Sequence, residues 1–347
     1  RKIVYANLHY VFPEYSKHKI NQVYQELLFK ISKTAAEFLL GNQLYRKLPE
    51  KFENYPFNIS NIKFDIHEDS KNCIEKMKRG GLLLTAHFGN YEAIGPWLCK
   101  LGIPLQASYA KIKPNFLNQF VEKKLRAVDG KSYTTFVKNP KQILKLISEK
   151  KLFCLVADQD YRKKSGVQEL FFNKEVSCNP IPNFIFRHHP NTPIFTCWIE
   201  EKNHLRTLYI KELETSAIYK SFHNNLEELI YSQLSSWYGW THRRFIKKKN
   251  KYTIYQQFIM AVLKKNGTNM MFSNGKMAEE KNLQNFSVNS HCFILHILRS
   301  IKMTLTEDFS DGQKKKMMNV FSSLKDFRMT EINSLWHLIS LTKSCLK

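Results

Sequence analysis

Two patterns of hydrophobic and polar positions follow one another along the chain. Over residues 1–50 apolar side chains recur at helical spacing, as at Ile20, Val23 and Leu27, and Gly41 is a suitable stop. From residue 62 onward short apolar runs alternate with segments of helical spacing. This alternation predicts an α/β fold, a central mixed sheet flanked by helices.

The apolar runs and the helical segments can be placed individually. Strands are predicted over residues 62–66, 82–86, 105–109, 134–137, 152–157, 193–200 and 206–210. Helices are predicted over residues 73–79, 91–101, 116–128, 141–150, 182–188 and 221–238. The runs at 82–86 and 152–157 are almost wholly apolar, which is typical of strands that are buried on both faces.

Composition divides the chain near residue 252. All 11 prolines precede this point, and eight of the nine methionines follow it. We therefore predict one domain over residues 1–251, with N-terminal helices over 1–50 and an α/β core over 62–249. Residues 252–347 are expected to be a tail, largely helical or disordered, to which the sequence assigns no function.

The net charge of the chain indicates an acidic partner. The chain carries 54 Lys and Arg against 30 Asp and Glu, a net charge of +24. Such a charge favours nucleic acid, an anionic membrane surface, a phosphorylated substrate or an acidic carrier protein. No apolar run approaches the roughly 18–20 residues that cross a bilayer, which excludes a polytopic membrane protein.

The cysteines and histidines do not form a recognisable metal site. The seven cysteines include no C-x-x-C pair, which argues against a disulfide framework or a zinc ribbon and favours a reducing compartment. The groups His188/His189 and His291/Cys292/His296 lack the paired spacing of zinc ligands. We expect no metal and no cofactor.

The segment LLLTAHFGNYE carries the candidate chemistry. His87 follows a buried strand directly, Gly89 permits a sharp turn, and Asn90 is placed to cap the next helix. Ligands bind at the carboxyl ends of strands in α/β sheets. His87 and Glu92 are therefore candidates for a general base and the carboxylate that orients it. The alternative is that His87 satisfies a turn carbonyl and that Glu92 only favours the helix dipole.

Three further segments add to this motif. ADQDYRKK begins at Ala157, WTHRRF begins at Trp240, and the chain opens with RKIVYANLHYVFP. Together with HFGNYE, and in this order, they resemble the bacterial lipid A biosynthesis acyltransferase family of the lauroyl/myristoyl type, over about residues 1–249. The resemblance implies a glycerol-phosphate-acyltransferase-like fold. It also implies transfer of a fatty acyl chain from acyl carrier protein to a hydroxyl of a lipid A precursor, late in lipopolysaccharide biosynthesis.

The resemblance assigns roles to individual residues. His87 corresponds to the general base and Glu92 to its partner, in an H-x4-E motif. The residues expected to bind substrate are Asn90, Arg126, Asp158, Asp160, Arg243 and Arg244. Lys124 competes with Arg126 for one of these positions. Asp158 and Asp160 have the alternative of capping the turn after the strand, and the two arginines that of helix capping or surface solvation.

The resemblance also names partners and a location. The expected partners are an acyl carrier protein thioester as donor, a phosphorylated glycolipid as acceptor and the anionic surface of the bacterial inner membrane, on its cytoplasmic face. An anchoring helix is expected to precede Arg1.

Two alternatives remain open at this stage. Another membrane glycolipid or phospholipid acyltransferase would share the same chemistry. A basic nucleic-acid-binding protein would use Arg243, Arg244 and the lysines at 247–249 and 251, with Trp237 and Trp240 nearby. Because no nucleic-acid motif accompanies that cluster, we expect no nucleic acid partner.

Overall fold

A mixed eight-stranded sheet forms the centre of the protein. The computed structural model describes residues 2–110, 115–137, 139–161 and 163–245. Its strands are β1 Phe57–Ile59, β2 Ile62–Ile66, β3 Gly81–Thr85, β4 Leu105–Ser108, β5 Ala127–Val128, β6 Lys131–Ser132, β7 Thr134–Thr135, β8 Leu152–Val156, β9 Val167–Phe171, β10 Lys174–Cys178, β11 Ile194–Lys202 and β12 Leu205–Glu212. Each predicted strand lies within two residues of its expected ends.

Helices surround this sheet. They are α1 Lys2–Val11, α2 Lys17–Leu39, α3 Gln43–Arg46, α4 Ser70–Met77, α5 Ile94–Lys100, α6 Asn115–Phe120, α7 Pro140–Ser148, α8 Ile181–His188 and α9 Ile218–Ser232. Short 3-10 helices cover Phe52–Asn54, Tyr91–Ala93, Leu234–Ser236 and Tyr238–Thr241, and a π-helix covers Val121–Leu125. The α/β class is thus confirmed, and α1, α2 and α3 occupy most of the N-terminal segment that the sequence predicts to be helical.

The strand order is β1-β2-β12-β11-β3-β8-β4-β7. Strands β11, β3, β8, β4 and β7 run parallel, whereas β12 pairs antiparallel with β11, and β1 with β2. Strand β12 is parallel to β2. The antiparallel pairs lie at one side of the sheet. The carboxyl ends of the parallel strands β11, β3, β8, β4 and β7 all lie along the same edge of the sheet.

Two predicted helices are shorter than expected. The helix predicted over 116–128 ends at Leu125, because Asp129 and Gly130 adopt positive φ angles of 48° and 77° and form the turn of the β5–β6 hairpin. The helix predicted over 221–238 ends at Ser232 and continues as two 3-10 helices. No strand was predicted for the β9–β10 hairpin, whose turn is Phe172-Asn173 rather than a glycine-containing pair.

The core is divided by the sheet into two apolar clusters. Leu82 and Leu84 pack with α1, α2 and α9 on one face, whereas Leu83 packs with α4 and α5 on the other. Phe153 and Cys154 alternate in the same way on β8. Because both faces are covered, β3 and β8 read as continuous apolar runs.

A buried ion pair joins α2 to the sheet. Arg206 of β12 donates to both carboxylate oxygens of Glu37, at 2.8 and 3.1 Å, and to the hydroxyl of Tyr45 at 3.1 Å. The same carboxylate accepts a 2.5 Å hydrogen bond from the amide of Asn90, in the turn that follows β3. The pair therefore links α2 and β12 to the turn that carries His87.

Within the described ranges, no helix combines the length and the apolar character that a bilayer crossing needs. The predicted tail at 252–347, the lysines at 247–251 and the group His291/Cys292/His296 lie outside the described residues.

Breaking the Glu37–Arg206 pair should destabilise the fold. Arg206→Met leaves a buried carboxylate without its cation, and we expect the free energy of unfolding to fall by roughly 3–5 kcal/mol. The double variant Glu37→Leu/Arg206→Met should recover much of that loss. Lys78→Ala, which removes the exposed Lys78–Glu75 pair, is the control and should have little effect. Urea unfolding measures all three, and an unchanged midpoint in Arg206→Met would contradict the assignment.

Candidate active site

The site is built on two neighbouring parallel strands. Thr85 of β3 is paired with Val156 of β8. His87 and Asp158 each follow two residues later, so both lie at the carboxyl edge of the sheet. Nδ1 of His87 lies 2.8 Å from Oδ1 of Asp158, and the backbone N–H of His87 donates to Oδ2 at 3.1 Å.

Asp158 is held from its other side as well. Nε1 of Trp237 donates to Oδ2 of Asp158 at 2.8 Å, and the carboxylate is fully buried. A buried carboxylate requires donors, so the neutral imidazole of His87 carries its proton on Nδ1. This tautomer leaves the lone pair on Nε2 of His87.

The protonation of His87 follows from this contact. Burial alone lowers the pKa of His87, but the Asp158 carboxylate and its hydrogen bond raise it more, so the pKa lies above its ordinary value. Burial raises the pKa of Asp158, but the charge of His87 and the hydrogen bonds from His87 and Trp237 lower it below its ordinary value. Asp158 is therefore ionised while His87 titrates.

The turn after His87 is fixed by the segment at 236–238. Gly89 adopts a φ of +54°, and a Cβ there would lie 2.9 Å from the carbonyl oxygen of Ile199. Its N–H donates to the carbonyl of Ser236 at 2.9 Å, and Tyr238 N–H donates to the carbonyl of His87 at 2.8 Å. Glycine is thus required for both the conformation and the space.

Glu92 does not hold His87, contrary to the sequence-based expectation. Its carboxylate accepts two hydrogen bonds from Arg126, from Nη2 at 2.6 Å and from Nε at 3.2 Å. Glu92 lies in the 3-10 turn Tyr91–Ala93 and faces Arg126, the residue directly after the π-helix. On His87 it acts only at longer range, as one of the charges that raise the pKa.

Arg126, rather than Lys124, belongs to the site. Its guanidinium lines the cavity in front of His87, whereas Lys124 is exposed. This cavity has a volume of about 390 Å³ and is also lined by Tyr91, Glu92 and Gln159. His87 and Tyr91 contact each other edge to face, with ring centroids 4.8 Å apart.

Two further residues lie beside His87: Gln159, to which the sequence assigns no role, and His242, which the sequence gives only as a member of the WTHRRF motif, with substrate contact, helix capping or surface solvation as its alternatives. Nε2 of Gln159 lies 3.5 Å from Nε2 of His87 and 3.4 Å from Nε2 of His242. The rings of His87 and His242 are 5.9 Å apart. The only available signal was that Gln159 follows Asp158 and that His242 lies in the WTHRRF motif. Gln159 thus meets the ring nitrogen of His87 that faces the cavity.

Asp158 and Asn90 occupy positions unlike those expected. Asp158 was predicted to bind substrate, but its contacts are with His87 and Trp237 and it is buried. Asn90 makes no side-chain cap to the helix that follows; its amide donates to Glu37 instead. It lines a second cavity of about 270 Å³. Asp160 is half-buried, one residue beyond Gln159.

Arg244 is a structural residue rather than a surface one. Its side chain is 1% exposed, and Nη1 donates to the carbonyls of Gln159 at 3.2 Å and of Ser177 at 2.9 Å. Nη2 lies 3.2 Å from Nε2 of His223. Burial and the Arg244 charge lower the pKa of His223 to about 3, so that ring is neutral and its Nε2 accepts from Arg244. Arg243, by contrast, is exposed.

No cluster of three or more His, Cys, Asp or Glu suited to a metal ion occurs in the part of the chain that the structure describes. Five cysteines fall in that part, and all five are free thiols, four of them buried.

Removing Arg244 should loosen the segment that carries Asp158 and Gln159. Arg244→Ala removes a buried side chain together with its hydrogen bonds to the carbonyls of Gln159 and Ser177, of which Ser177 keeps only the N–H of Tyr161 as donor, and we expect the free energy of unfolding to drop by roughly 2–3 kcal/mol. Arg79→Ala, at an exposed arginine in the turn before β3, is the control and should unfold like the wild type. Both are measured by urea unfolding, and equal stability of the two variants would refute the role given to Arg244.

Comparison with known proteins identifies a family for this chain. A family model described as bacterial lipid A biosynthesis acyltransferase matches residues 1–247. Among curated proteins, none matches the chain. The family match spans well over half of the sequence, and the chain therefore belongs to the bacterial lipid A biosynthesis acyltransferase family.

Proposed function

We propose that this member of the lipid A biosynthesis acyltransferase family moves a fatty acyl chain from the thioester of acyl carrier protein to a hydroxyl of a phosphorylated lipid A precursor. Family membership gives acyltransferase activity in lipid A synthesis. The observation that supports the chemistry is the contact of His87 with buried Asp158, which leaves Nε2 facing the cavity.

His87 is the general base of the proposed reaction. Its Nε2 takes the proton of the acceptor hydroxyl while that oxygen attacks the thioester carbonyl. The Nδ1–H donates to Asp158 throughout, and the carboxylate stabilises the imidazolium that forms. The new C–O bond replaces the C–S bond, and the departing sulfur takes the proton from the imidazolium.

Arg126 is assigned to the negative charge that develops on the carbonyl oxygen. Glu92 holds the guanidinium through Nε and Nη2, which fixes its plane, and we assign Nη1 to the oxyanion. The N–H of Gly89 is not a candidate, because it already donates to Ser236. In this proposal Glu92 positions Arg126, and Asp158 positions His87.

The remaining features fit a reaction between two anionic substrates at a membrane. The net charge of +24 suits an acidic carrier protein, a phosphorylated glycolipid and the anionic cytoplasmic face of the inner membrane. The sequence contains no G-x-S-x-G elbow, which favours direct transfer without an acyl-enzyme.

Loss of His87 should abolish transfer. Purified protein is incubated with labelled acyl carrier protein thioester and a lipid A precursor, and the glycolipid mass is measured. We expect one added acyl group with wild type, and a rate at least roughly 100-fold lower with His87→Ala. His188→Ala, at an exposed histidine, is the control and should retain the rate. Near wild-type transfer by folded His87→Ala would overturn the proposal.

The pH dependence identifies the partner of His87. Activity requires the neutral ring, so it is lost as the pH falls through the pKa of His87, which the Asp158 carboxylate holds above its ordinary value. Asp158→Asn removes that charge, so the acid limb should move to lower pH, and kcat should fall by about 100-fold or more.

Glu92→Gln is the matched comparison for Asp158→Asn. Since Glu92 binds Arg126 and acts on His87 only from a distance, it should move the acid limb less. Rate profiles measured between pH 5 and 9, a range of about four units around the ordinary histidine pKa, distinguish the two. A larger shift in Glu92→Gln than in Asp158→Asn would contradict the assignment.

A further inference from the structure

From the carboxyl ends of the strands, the cavity in front of His87 continues between the sheet and α5 toward the start of β4. This lower part, the slot, is lined by Ile94, Gly95, Leu105, Ala107, Tyr133 and Cys154. Val156 is level with Thr85, at the top of the cavity, and Leu152 is level with Leu105. Four residues of strand separate these levels, so the slot reaches roughly 13 Å below the level of Thr85.

The walls of the slot are effectively apolar. The hydroxyl of Thr85 donates to the carbonyl of Cys197 at 3.1 Å, and that of Ser108 donates to the carbonyl of Cys154 at 3.1 Å. These polar atoms are satisfied by backbone carbonyls, so an occupant meets mainly carbon. Such a slot fits a hydrocarbon chain whose reactive end lies beside His87.

Tyr133 closes the slot against α5. Its carbonyl accepts from the N–H of Ala107 at 2.8 Å, and because Thr134 is paired with Ala107, Tyr133 lies one residue further down, level with Gln106. Its ring crosses to Gly95, where a Cβ would lie 2.4 Å from Cε2 and 2.7 Å from Cζ of the ring. Only glycine at position 95 leaves room for the aromatic ring in this place.

The phenol hydroxyl is not what holds the ring. It is buried, and no hydrogen-bond partner for it occurs among the described residues. The ring is 6% exposed and packs in the apolar cluster of α5. The position of Tyr133 therefore depends on its shape, and the hydroxyl can be removed without losing a hydrogen bond.

We propose that Tyr133, seated on Gly95, is the residue that limits the length of the acyl chain this enzyme transfers. This inference rests on the proposed acyl transfer and adds the determinant of chain length to it. A chain that enters beside His87 runs along the sheet toward Leu105 and ends where the Tyr133 ring meets α5. Longer chains must displace the ring.

Two variants at position 133 separate shape from chemistry. The rates are measured with acyl carrier protein thioesters whose saturated chains differ by two carbons, in direct competition. In Tyr133→Leu the space of the phenol opens, and the ratio of longer to shorter chain transferred should rise by about tenfold. Tyr133→Phe keeps the ring and loses only the unpaired hydroxyl, so its ratio should equal that of the wild type.

A third variant changes the slot in the opposite direction. Ala107→Val adds two carbons to the wall at mid-depth, on a strand that tolerates a β-branched residue. Its ratio should fall by about tenfold, in favour of the shorter chain. If Tyr133→Leu does not fold, an unchanged ratio in Ala107→Val refutes the slot as the path of the acyl chain, and with it the role of Tyr133.

The outcomes distinguish failure of the proposed acyl transfer from failure of the role given to Tyr133. If the wild type transfers no acyl chain, the proposed function itself is wrong. If the wild type and folded Tyr133→Leu transfer acyl chains with the same length ratio, the enzyme assignment stands and the role of Tyr133 is refuted, whatever Ala107→Val shows. A shift in Tyr133→Phe as large as that in Tyr133→Leu would also refute a steric limit.

Discussion

The contact between His87 and Asp158 is the interaction on which the rest of the site depends. It requires β3 and β8 to be parallel neighbours in register, so that two residues 71 positions apart in the chain emerge side by side. It also requires Asp158 to remain ionised although its side chain is buried, which Trp237 and the backbone of His87 make possible by donating to it. The segment after α9, which carries Trp237, and the apolar strands β3 and β8 thus together position the hydrogen bond between His87 and Asp158.

The site uses its two carboxylates for different purposes. Asp158 fixes the tautomer of His87 and raises its pKa, whereas Glu92 fixes the plane of Arg126. Each carboxylate is paired with one cation or potential cation, and no buried negative charge in these two pairs is left uncompensated. The base and the group assigned to the oxyanion are therefore held by separate pairs, on two sides of one cavity.

The sequence predicted the position of the catalytic residues along the chain better than the contacts between their side chains. The strand before His87 and the glycine turn after it are local patterns, and both were found as expected. The partner of His87 was mistaken because Glu92 is near in sequence, whereas the pairing with Asp158 depends on strand order. The burial of Arg244 could not be predicted either. A basic sequence motif is typical of an exposed segment, and Arg244 is buried because it bonds to Ser177 of the β9–β10 hairpin, which the sequence did not predict.

The most direct test of this account is the tautomer of His87, read from the ¹⁵N resonances of its ring in histidine-labelled protein, with His87→Gln used to assign them. Above the pKa of His87, we predict that Nδ1 carries the proton and that Nε2 has the shift of an unprotonated nitrogen, because Asp158 accepts from Nδ1. A ring protonated on Nε2, or one that exchanges freely between both forms, would contradict the claim that Asp158 orients the base.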